Sequence, residues 1–221
     1  PFFVVYPNIA KMIGAKAVLC DTYPDFRMTA ERVEPLITER TKYVLFNSPG
    51  NPSGVVPSGD ECRELLQLCR DRGVVLLSDE IYDEFVYSDA VEPSPRGESG
   101  SRCPSPARFE GAEENVLLVR GFGKTYGCTG WRMGYAAGPG PILKEMGKLQ
   151  QYSFVCAPSI AQAGCVAAFD ADISAHVADY QKRRDMVLEI LSPVTDVATP
   201  GGAFYVFPKV PERLGLTGTQ L

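Results

Sequence analysis

The chain has 221 residues, of which 45% are hydrophobic and 22% are charged, and its net charge is −5. This balance is typical of a globular protein. No basic stripe with interleaved aromatic residues occurs, and no apolar run approaches the roughly 18 residues that span a membrane. We therefore expect no nucleic-acid partner, no membrane partner, no signal peptide and a cytoplasmic location.

Apolar runs and helical periods alternate along the chain. Strands are predicted at 17–20, 43–47, 74–78, 115–119 and 133–137, and helices at 29–38, 59–71, 140–151, 158–169 and 173–191. The helix at 59–71 begins with a capping box formed by Ser58 and Glu61. This alternation predicts an α/β fold with three layers, in which a mostly parallel sheet carries helices on both faces.

Two segments depart from this alternation. Residues 88–114 hold four prolines and three glycines without periodicity, which predicts a partly disordered surface loop. Pro193 ends the last helix, and residues 197–207 are predicted to start a second domain. We therefore assign 1–170 to part of a large domain, and 171–221 to a bridging helix followed by the start of a smaller α+β domain.

The cysteines and the single histidine indicate no metal chemistry. The seven cysteines are odd in number and form no Cys-x-x-Cys pair, which favours buried thiols over disulfides or a zinc site. Cys62 and Cys69 fall on the apolar face of the predicted helix at 59–71. His176 is predicted to lie on a helix surface, outside catalysis.

Lys124 is the most informative residue. It follows an apolar run and a glycine-rich turn, and Arg132 comes eight residues later. An amine can form a Schiff base with a carbonyl group, and a guanidinium can hold phosphate oxygens bidentately. A ligand that carries both groups, such as pyridoxal phosphate, suits this pair.

Two nucleotide-binding motifs that look similar are excluded. Gly123-Lys124-Thr125 ends like a P-loop, but the required earlier glycine is Leu118. A dinucleotide fingerprint would need its last glycine at Tyr126, and the next segment predicts a strand instead of a helix.

Polar residues also follow two upstream strands. Asp79 ends an apolar run, and Tyr82 comes three residues later. The strand at 43–47 leads into a rigid loop with the sequence Asn47-Ser-Pro-Gly-Asn51-Pro-Ser-Gly54. The carboxyl ends of parallel strands are where α/β folds bind ligands, so we expect these residues at one site.

With these motifs in this order, the chain resembles fold-type I pyridoxal-phosphate enzymes, specifically the class I/II aminotransferases of the aspartate aminotransferase superfamily. The resemblance rests on the Asn47–Gly54 loop, Asp79-Glu-Ile-Tyr82, and Lys124-Thr-Tyr-Gly-Cys-Thr-Gly-Trp-Arg132-Met-Gly-Tyr135. A weaker match, Gly201-Gly-Ala-Phe-Tyr205, resembles the first strand of the family's small domain.

The resemblance implies a role for each matched residue. Lys124 is the expected Schiff-base lysine and also the base that moves the substrate's α-proton. Asp79 is expected to pair with the pyridinium nitrogen of pyridoxal 5′-phosphate, and Tyr82 and Asn51 with its ring hydroxyl oxygen. Arg132 is expected to bind the phosphate.

Other consequences of the resemblance concern the rest of the protein. Phe3, in a segment similar to the family's Pro-Tyr-Trp, is the expected ring-stacking aromatic. Gly121 and Gly123 stand where many members carry serines, so backbone N–H groups are expected to replace those phosphate donors. Family members run to roughly twice this length. We therefore expect a fragment that lacks an upstream phosphate-binding segment and the downstream arginine for the substrate carboxylate, and that is inactive alone.

The function implied is a pyridoxal-phosphate-dependent aminotransferase of amino-acid metabolism. It would move an amino group between an L-amino acid and a 2-oxo acid, as a homodimer when full length. Two alternatives remain open: a C–S β-lyase of the same fold, and the aminotransferase-like sensor domain of a transcription regulator.

Overall fold

The computed structural model describes residues 1–95 and 101–221. The described part of the chain contains the strands β1 (Tyr43–Asn47), β2 (Val75–Asp79), β3 (Glu92–Pro93), β4 (Ser101–Arg102), β5 (Val116–Gly121) and β6 (Gly134–Ala137). The central sheet has the order β1-β2-β5-β6, while β3 and β4 form a separate antiparallel pair. β1, β2 and β5 are parallel, and β6 is antiparallel to β5. The predicted α/β fold with a mostly parallel sheet is therefore confirmed.

Eight α-helices occur in the described ranges: α1 (Val5–Met12), α2 (Ala30–Val33), α3 (Gly59–Asp71), α4 (Ala112–Asn115), α5 (Phe122–Thr125), α6 (Gly140–Ser153), α7 (Ser159–Ala168) and α8 (Ser174–Leu191). Short 3-10 helices cover Glu34–Leu36, Pro106–Arg108, Thr129–Trp131 and Glu212–Leu214. Within residues 1–95 and 101–221, no helix is long and apolar enough to cross a membrane.

The predicted helices are present, with one shortened. The helix expected at 29–38 stops after α2 and continues as a 3-10 turn that contains Pro35, because proline has no N–H for the helical hydrogen bond. The capping box of α3 is confirmed: the Ser58 hydroxyl accepts from the Glu61 amide at 3.2 Å, and the Ser58 amide donates to the Glu61 carboxylate at 2.7 Å.

The main hydrophobic core lies between α3 and the strands β1 and β2. Leu65, Cys62 and Cys69 of α3 and Leu76 of β2 are fully buried in it. Burial raises the pKa of Cys69 to about 12, so this thiol stays neutral and packs as a small hydrophobic side chain.

The prediction for the cysteines holds in part. All seven are free thiols, and four of them are buried: Cys62, Cys69, Cys103 and Cys165. Cys156 is exposed, so the expectation of a buried thiol is wrong there, because it follows the end of α6 in an exposed segment. His176 lies exposed on α8, as predicted.

Two further predictions are wrong. Residues 17–20 form no strand: Val18 and Leu19 are 58% and 59% exposed, and no strand of the described chain pairs with them. The surface loop predicted at 88–114 is buried at 103–106, because the Ser105 hydroxyl donates to the buried Glu80 carboxylate at 2.5 Å. Residues 96–100 of that loop lie outside the described residues.

The segment 201–205 also differs from the predicted strand. It makes a single isolated bridge between Gly202 and Val86, and Ala203 adopts a left-handed conformation with φ 55°. That conformation interrupts an extended strand, since it turns the chain away from the pleated geometry.

Candidate active site

The carboxyl ends of the parallel strands bring the predicted loops to one edge of the sheet. Asn47 at the end of β1 pairs in register with Asp79 at the end of β2, which pairs in turn with Val119 of β5. The Asn47 side-chain amide donates to the Asp79 carbonyl at 3.0 Å, and the Ser48 amide donates to the same oxygen at 3.1 Å. The loops that follow these three strands therefore share one site.

The loop after β1 holds Asn51 in a fixed position. The Asn47 side-chain oxygen accepts from the Asn51 amide at 3.0 Å, and the Gly54 amide closes the turn on the Gly50 carbonyl at 2.7 Å. Gly54 has φ 70°, and a Cβ there would lie 2.5 Å from the Pro200 Cβ. The Asn51 side chain lowers the pKa of the Tyr82 phenol against the rise from burial, so these two predicted residues are neighbours.

Asp79 is largely removed from solvent and is held by two donors. Tyr6 of α1 donates its hydroxyl proton to one carboxylate oxygen, and the Ile81 amide donates to the other at 3.3 Å. Burial raises the pKa of Asp79, and the hydrogen bonds from Tyr6 and Ile81 oppose that rise. The Phe3 ring lies edge-on to Tyr6, with 5.8 Å between centroids, and is 44% exposed.

Tyr82 and Lys124 meet around one aromatic ring. The Tyr82 side chain is 2% exposed, and its ring centroid lies 5.2 Å from that of Phe204. The Lys124 ammonium nitrogen lies 5.8 Å from the centroid of the same Phe204 ring. Burial raises the pKa of Tyr82, so its phenol is neutral and can donate.

Arg132 lies on the loop that carries Lys124. This loop is closed at its base, where β5 and β6 pair through Gly121 and Gly134, and the Phe122 amide donates to the Met133 carbonyl at 3.2 Å. Arg132 has φ 55°, is exposed, and donates from its guanidinium to the Thr129 carbonyl at 3.1 Å.

Gly121 lies in close contact with the Ile81 side chain. A Cβ there would lie 2.3 Å from the Ile81 Cδ1. Since Ile81 follows Asp79 by two residues, this contact shows how closely the two segments approach, and a larger residue at 121 would require the Ile81 side chain to move.

A buried ion network lies beneath the site. Glu80 is 1% exposed and accepts from the Arg120 guanidinium at 2.7 Å and from the Ser78 hydroxyl at 2.8 Å. Arg120 also pairs with Asp83 at 2.8 Å, and burial raises the pKa of Asp83 to about 6 against the opposing effect of Arg120. These bonds join the end of β2 to β5, next to Asp79 and upstream of Lys124.

Removing the cation of this network should destabilise the fold. We expect Arg120→Ala to lower the free energy of unfolding by about 3–5 kcal/mol, because Glu80 is left buried and unpaired. Urea unfolding without added cofactor measures the change. The control is Arg63→Ala, which breaks the pair with Asp60 on the exposed surface of α3 and should cost at most about 1 kcal/mol. Equal costs for the two variants would contradict a structural role for the network.

Three residues of the site were not anticipated from the sequence. Tyr6, Phe204 and Tyr205 contact Asp79, Lys124 and Tyr82, respectively. Phe3 and Tyr6 are three residues apart at a helix start, a spacing that places both rings on one face, so the sequence could have indicated Tyr6. Nothing in the sequence indicated that Phe204 and Tyr205 reach this edge of the sheet.

Comparison with known proteins decides the family. The family model described as "Aminotransferase class I and II" matches residues 1–218. The chain belongs to this family. An aspartate aminotransferase from Rhizobium meliloti is 39% identical over 216 residues, which cover 94% of this chain and 50% of that protein. A probable aspartate aminotransferase from Methanocaldococcus jannaschii is 34% identical over 221 residues, covering 96% and 55% of the two chains.

Solved structures of aminotransferases share the fold. An aromatic aminotransferase from Pyrococcus horikoshii superimposes with a TM-score of 0.89 at 30% identity, covering 99% of this chain and 58% of that one. The aspartate aminotransferase from Rhizobium meliloti gives a TM-score of 0.82 at 37% identity, covering 94% and 52%. The chain thus spans about half the length of the relatives it matches.

Proposed function

We propose that this protein is an aminotransferase that uses pyridoxal 5′-phosphate to move an amino group between an L-amino acid and a 2-oxo acid. Class I and II aminotransferases generally depend on this cofactor. The observation that carries the proposal is the convergence at one sheet edge of a half-buried carboxylate, a buried phenol, a neighbouring amide and a lysine, contributed by Asp79, Tyr82, Asn51 and Lys124.

The chemistry of these side chains fits the cofactor. A buried carboxylate next to a pyridine nitrogen favours the protonated ring, so Asp79 suits that position. Asn51 and Tyr82 supply two neighbouring groups that can donate to the ring hydroxyl oxygen. Arg132 and the backbone N–H groups around Gly121 and Gly123 suit the phosphate. When bound, the cofactor supplies an electron sink for the substrate's α-carbon.

The protein's own residues perform the remaining work. Lys124 would hold the cofactor covalently through its amine and, once displaced by substrate, would move a proton between the substrate α-carbon and the cofactor. Phe3 would cover one face of the cofactor ring. Its side chain packs against Tyr6, whose hydroxyl donates to Asp79. Asp79 would keep the ring nitrogen protonated throughout.

The assembly and location belong to the same proposal. We propose an active homodimer in the cytoplasm, with a large domain at 1–170 and a bridging helix plus the start of a smaller domain at 171–221. Size-exclusion chromatography coupled to light scattering measures the dimer, and a monomer that retains full turnover would contradict it.

Product analysis tests the reaction. Protein expressed from the full reading frame is loaded with pyridoxal phosphate and offered a panel of L-amino acids with a 2-oxo acid acceptor. Aminotransferase activity yields the 2-oxo acid of the donor and the amino acid of the acceptor. Pyruvate, ammonia and a thiol from a cysteine-type substrate would instead indicate the C–S lyase. Cofactor binding without turnover, in a reading frame that also encodes a DNA-binding domain, would indicate the sensor.

A further inference from the structure

Residues 200–205 form a segment, here called the docked turn, that is fastened to the loops of the candidate site. The amides of Gly201 and Gly202 both donate to the Gly54 carbonyl, at 2.8 and 3.0 Å. The Tyr87 amide donates to the Gly201 carbonyl at 2.8 Å, and the Arg184 guanidinium of α8 donates to the Pro200 carbonyl at 2.7 Å. The docked turn is therefore fixed to the loop after β1 and to the segment after β2.

Ala203 sets the direction in which the docked turn leaves these loops. It is fully buried and has φ 55°, a left-handed conformation that residues with a Cβ rarely adopt. Its amide donates to the Phe85 carbonyl at 2.8 Å, and its carbonyl accepts from the Tyr87 hydroxyl at 2.7 Å. Such a conformation persists where surrounding bonds impose it, and it is common at functional sites.

The turn at Ala203 places two aromatic side chains against the predicted cofactor residues. Phe204 packs on Tyr82 and lies under the Lys124 ammonium group. The Tyr205 hydroxyl lies 2.7 Å from the Tyr82 hydroxyl, and the two rings meet edge-to-face with 5.7 Å between centroids. Tyr205 thus contacts the polar atom of Tyr82, and not only its ring.

The hydrogen-bonding capacity of Tyr82 determines what Tyr205 can do. A phenol has one proton to donate, and its oxygen also accepts. At 2.7 Å one of the two hydroxyls donates to the other, so the Tyr82 proton is directed either to Tyr205 or into the site. If Tyr205 is the donor, Tyr82 keeps its own hydroxyl proton available to donate to the cofactor.

We propose that Tyr205 is a positioning residue which donates its hydroxyl proton to Tyr82 and so directs the Tyr82 proton to the ring oxygen of the cofactor. This inference rests on the proposed function. A donor on the Tyr82 oxygen also makes Tyr82 a stronger donor, because hydrogen bonds in a chain polarise one another. The docked turn would therefore act on the ring oxygen of the cofactor through Tyr82.

The expected effect is a shift in the pH dependence of cofactor absorption. The visible absorption of the bound cofactor changes with pH at a midpoint that a donor on the ring oxygen lowers. We expect Tyr205→Phe to raise this midpoint by about 0.5–1 unit, roughly the effect of one hydrogen bond. Tyr82→Phe should raise it further, because it removes the donor itself.

A double-mutant cycle separates positioning from general structural damage. If Tyr205 acts through Tyr82, adding Tyr205→Phe to Tyr82→Phe should leave the midpoint where Tyr82→Phe alone puts it. The matched control is Tyr180→Phe, which removes a phenol oxygen from the same aromatic cluster. The ring centroids of Tyr180 and Phe204 lie 5.9 Å apart. The midpoint of this variant should equal that of the wild type.

The outcomes distinguish this inference from the proposed function. The experiment uses protein from the full reading frame, pyridoxal 5′-phosphate and spectrophotometric pH titration. A wild-type protein that never acquires the visible absorption would overturn the proposed function itself. A wild-type protein that titrates normally, while Tyr205→Phe keeps the wild-type midpoint or shifts it equally in the Tyr82→Phe background, would overturn the role of Tyr205 alone.

Discussion

Lys124→Ala should abolish measurable amino transfer. The variant loses the amine that holds the cofactor covalently and the base that moves the substrate's α-proton. General acid–base catalysis alone is worth about 10²–10⁴ in rate, so we expect turnover to fall by at least about 10⁴ when both roles are lost. Steady-state kinetics with a saturating donor and acceptor measure the loss, and equilibrium dialysis measures cofactor affinity.

Cofactor binding should survive in part, because Asp79 and Arg132 remain. The control is Lys148→Ala, since Lys148 lies on α6 and forms an exposed pair with Glu145. That variant should keep wild-type turnover. A Lys124→Ala variant with a turnover within tenfold of the wild type would show that another residue is the base.

The second large effect is expected at Asp79. Asp79→Asn should leave cofactor affinity largely intact but lower turnover sharply, because an amide cannot hold the ring nitrogen protonated. Each pKa unit that the nitrogen loses corresponds to ~1.4 kcal/mol, so a fall of ~3 units would reduce turnover about a thousandfold if the whole effect reaches the transition state.

Two further variants complete this test: Asp79→Glu separates charge from geometry, and Asp60→Asn is the surface control. Asp79→Glu keeps the charge at a changed distance and should retain more turnover than Asp79→Asn. Asp60→Asn removes an exposed carboxylate from α3 and should change nothing. Near-wild-type kcat for Asp79→Asn with every amino donor tested would mean that the carboxylate is not paired with the ring.

The sequence was sufficient to predict those parts of the site that follow buried strands. β1 was predicted at its observed bounds and β2 within one residue, since both are short apolar runs ended by polar residues. Because parallel strands end at a common edge, Asn47 and Asp79 were expected together, and they pair in register.

Contacts made by tertiary structure could not be predicted in this way. Tyr6 and Asp79 are 73 residues apart, and Tyr82 and Tyr205 are 123 apart. The second contact depends on a left-handed alanine at position 203, a conformation that the sequence does not signal, since glycine or asparagine is the usual residue there.

Local patterns misled where burial is decided by distant partners. Residues 103–106 have the composition of a surface loop, but Ser105 is buried because it completes the hydrogen bonds of Glu80. Val18 and Leu19 have the composition of a strand, but no neighbouring strand in the described chain is present to pair with them. In the first case a distant partner buries the segment, and in the second no partner strand is found among the described residues.

The most direct test of the account is the position of the covalent bond to the cofactor. Protein from the full reading frame is loaded with pyridoxal 5′-phosphate, reduced with borohydride, digested and analysed by mass spectrometry. We predict that the visible absorption disappears on reduction and that the pyridoxyl group is found on the peptide containing Lys124. A pyridoxyl group on another lysine, or none on any peptide while cofactor is bound, would contradict the assignment.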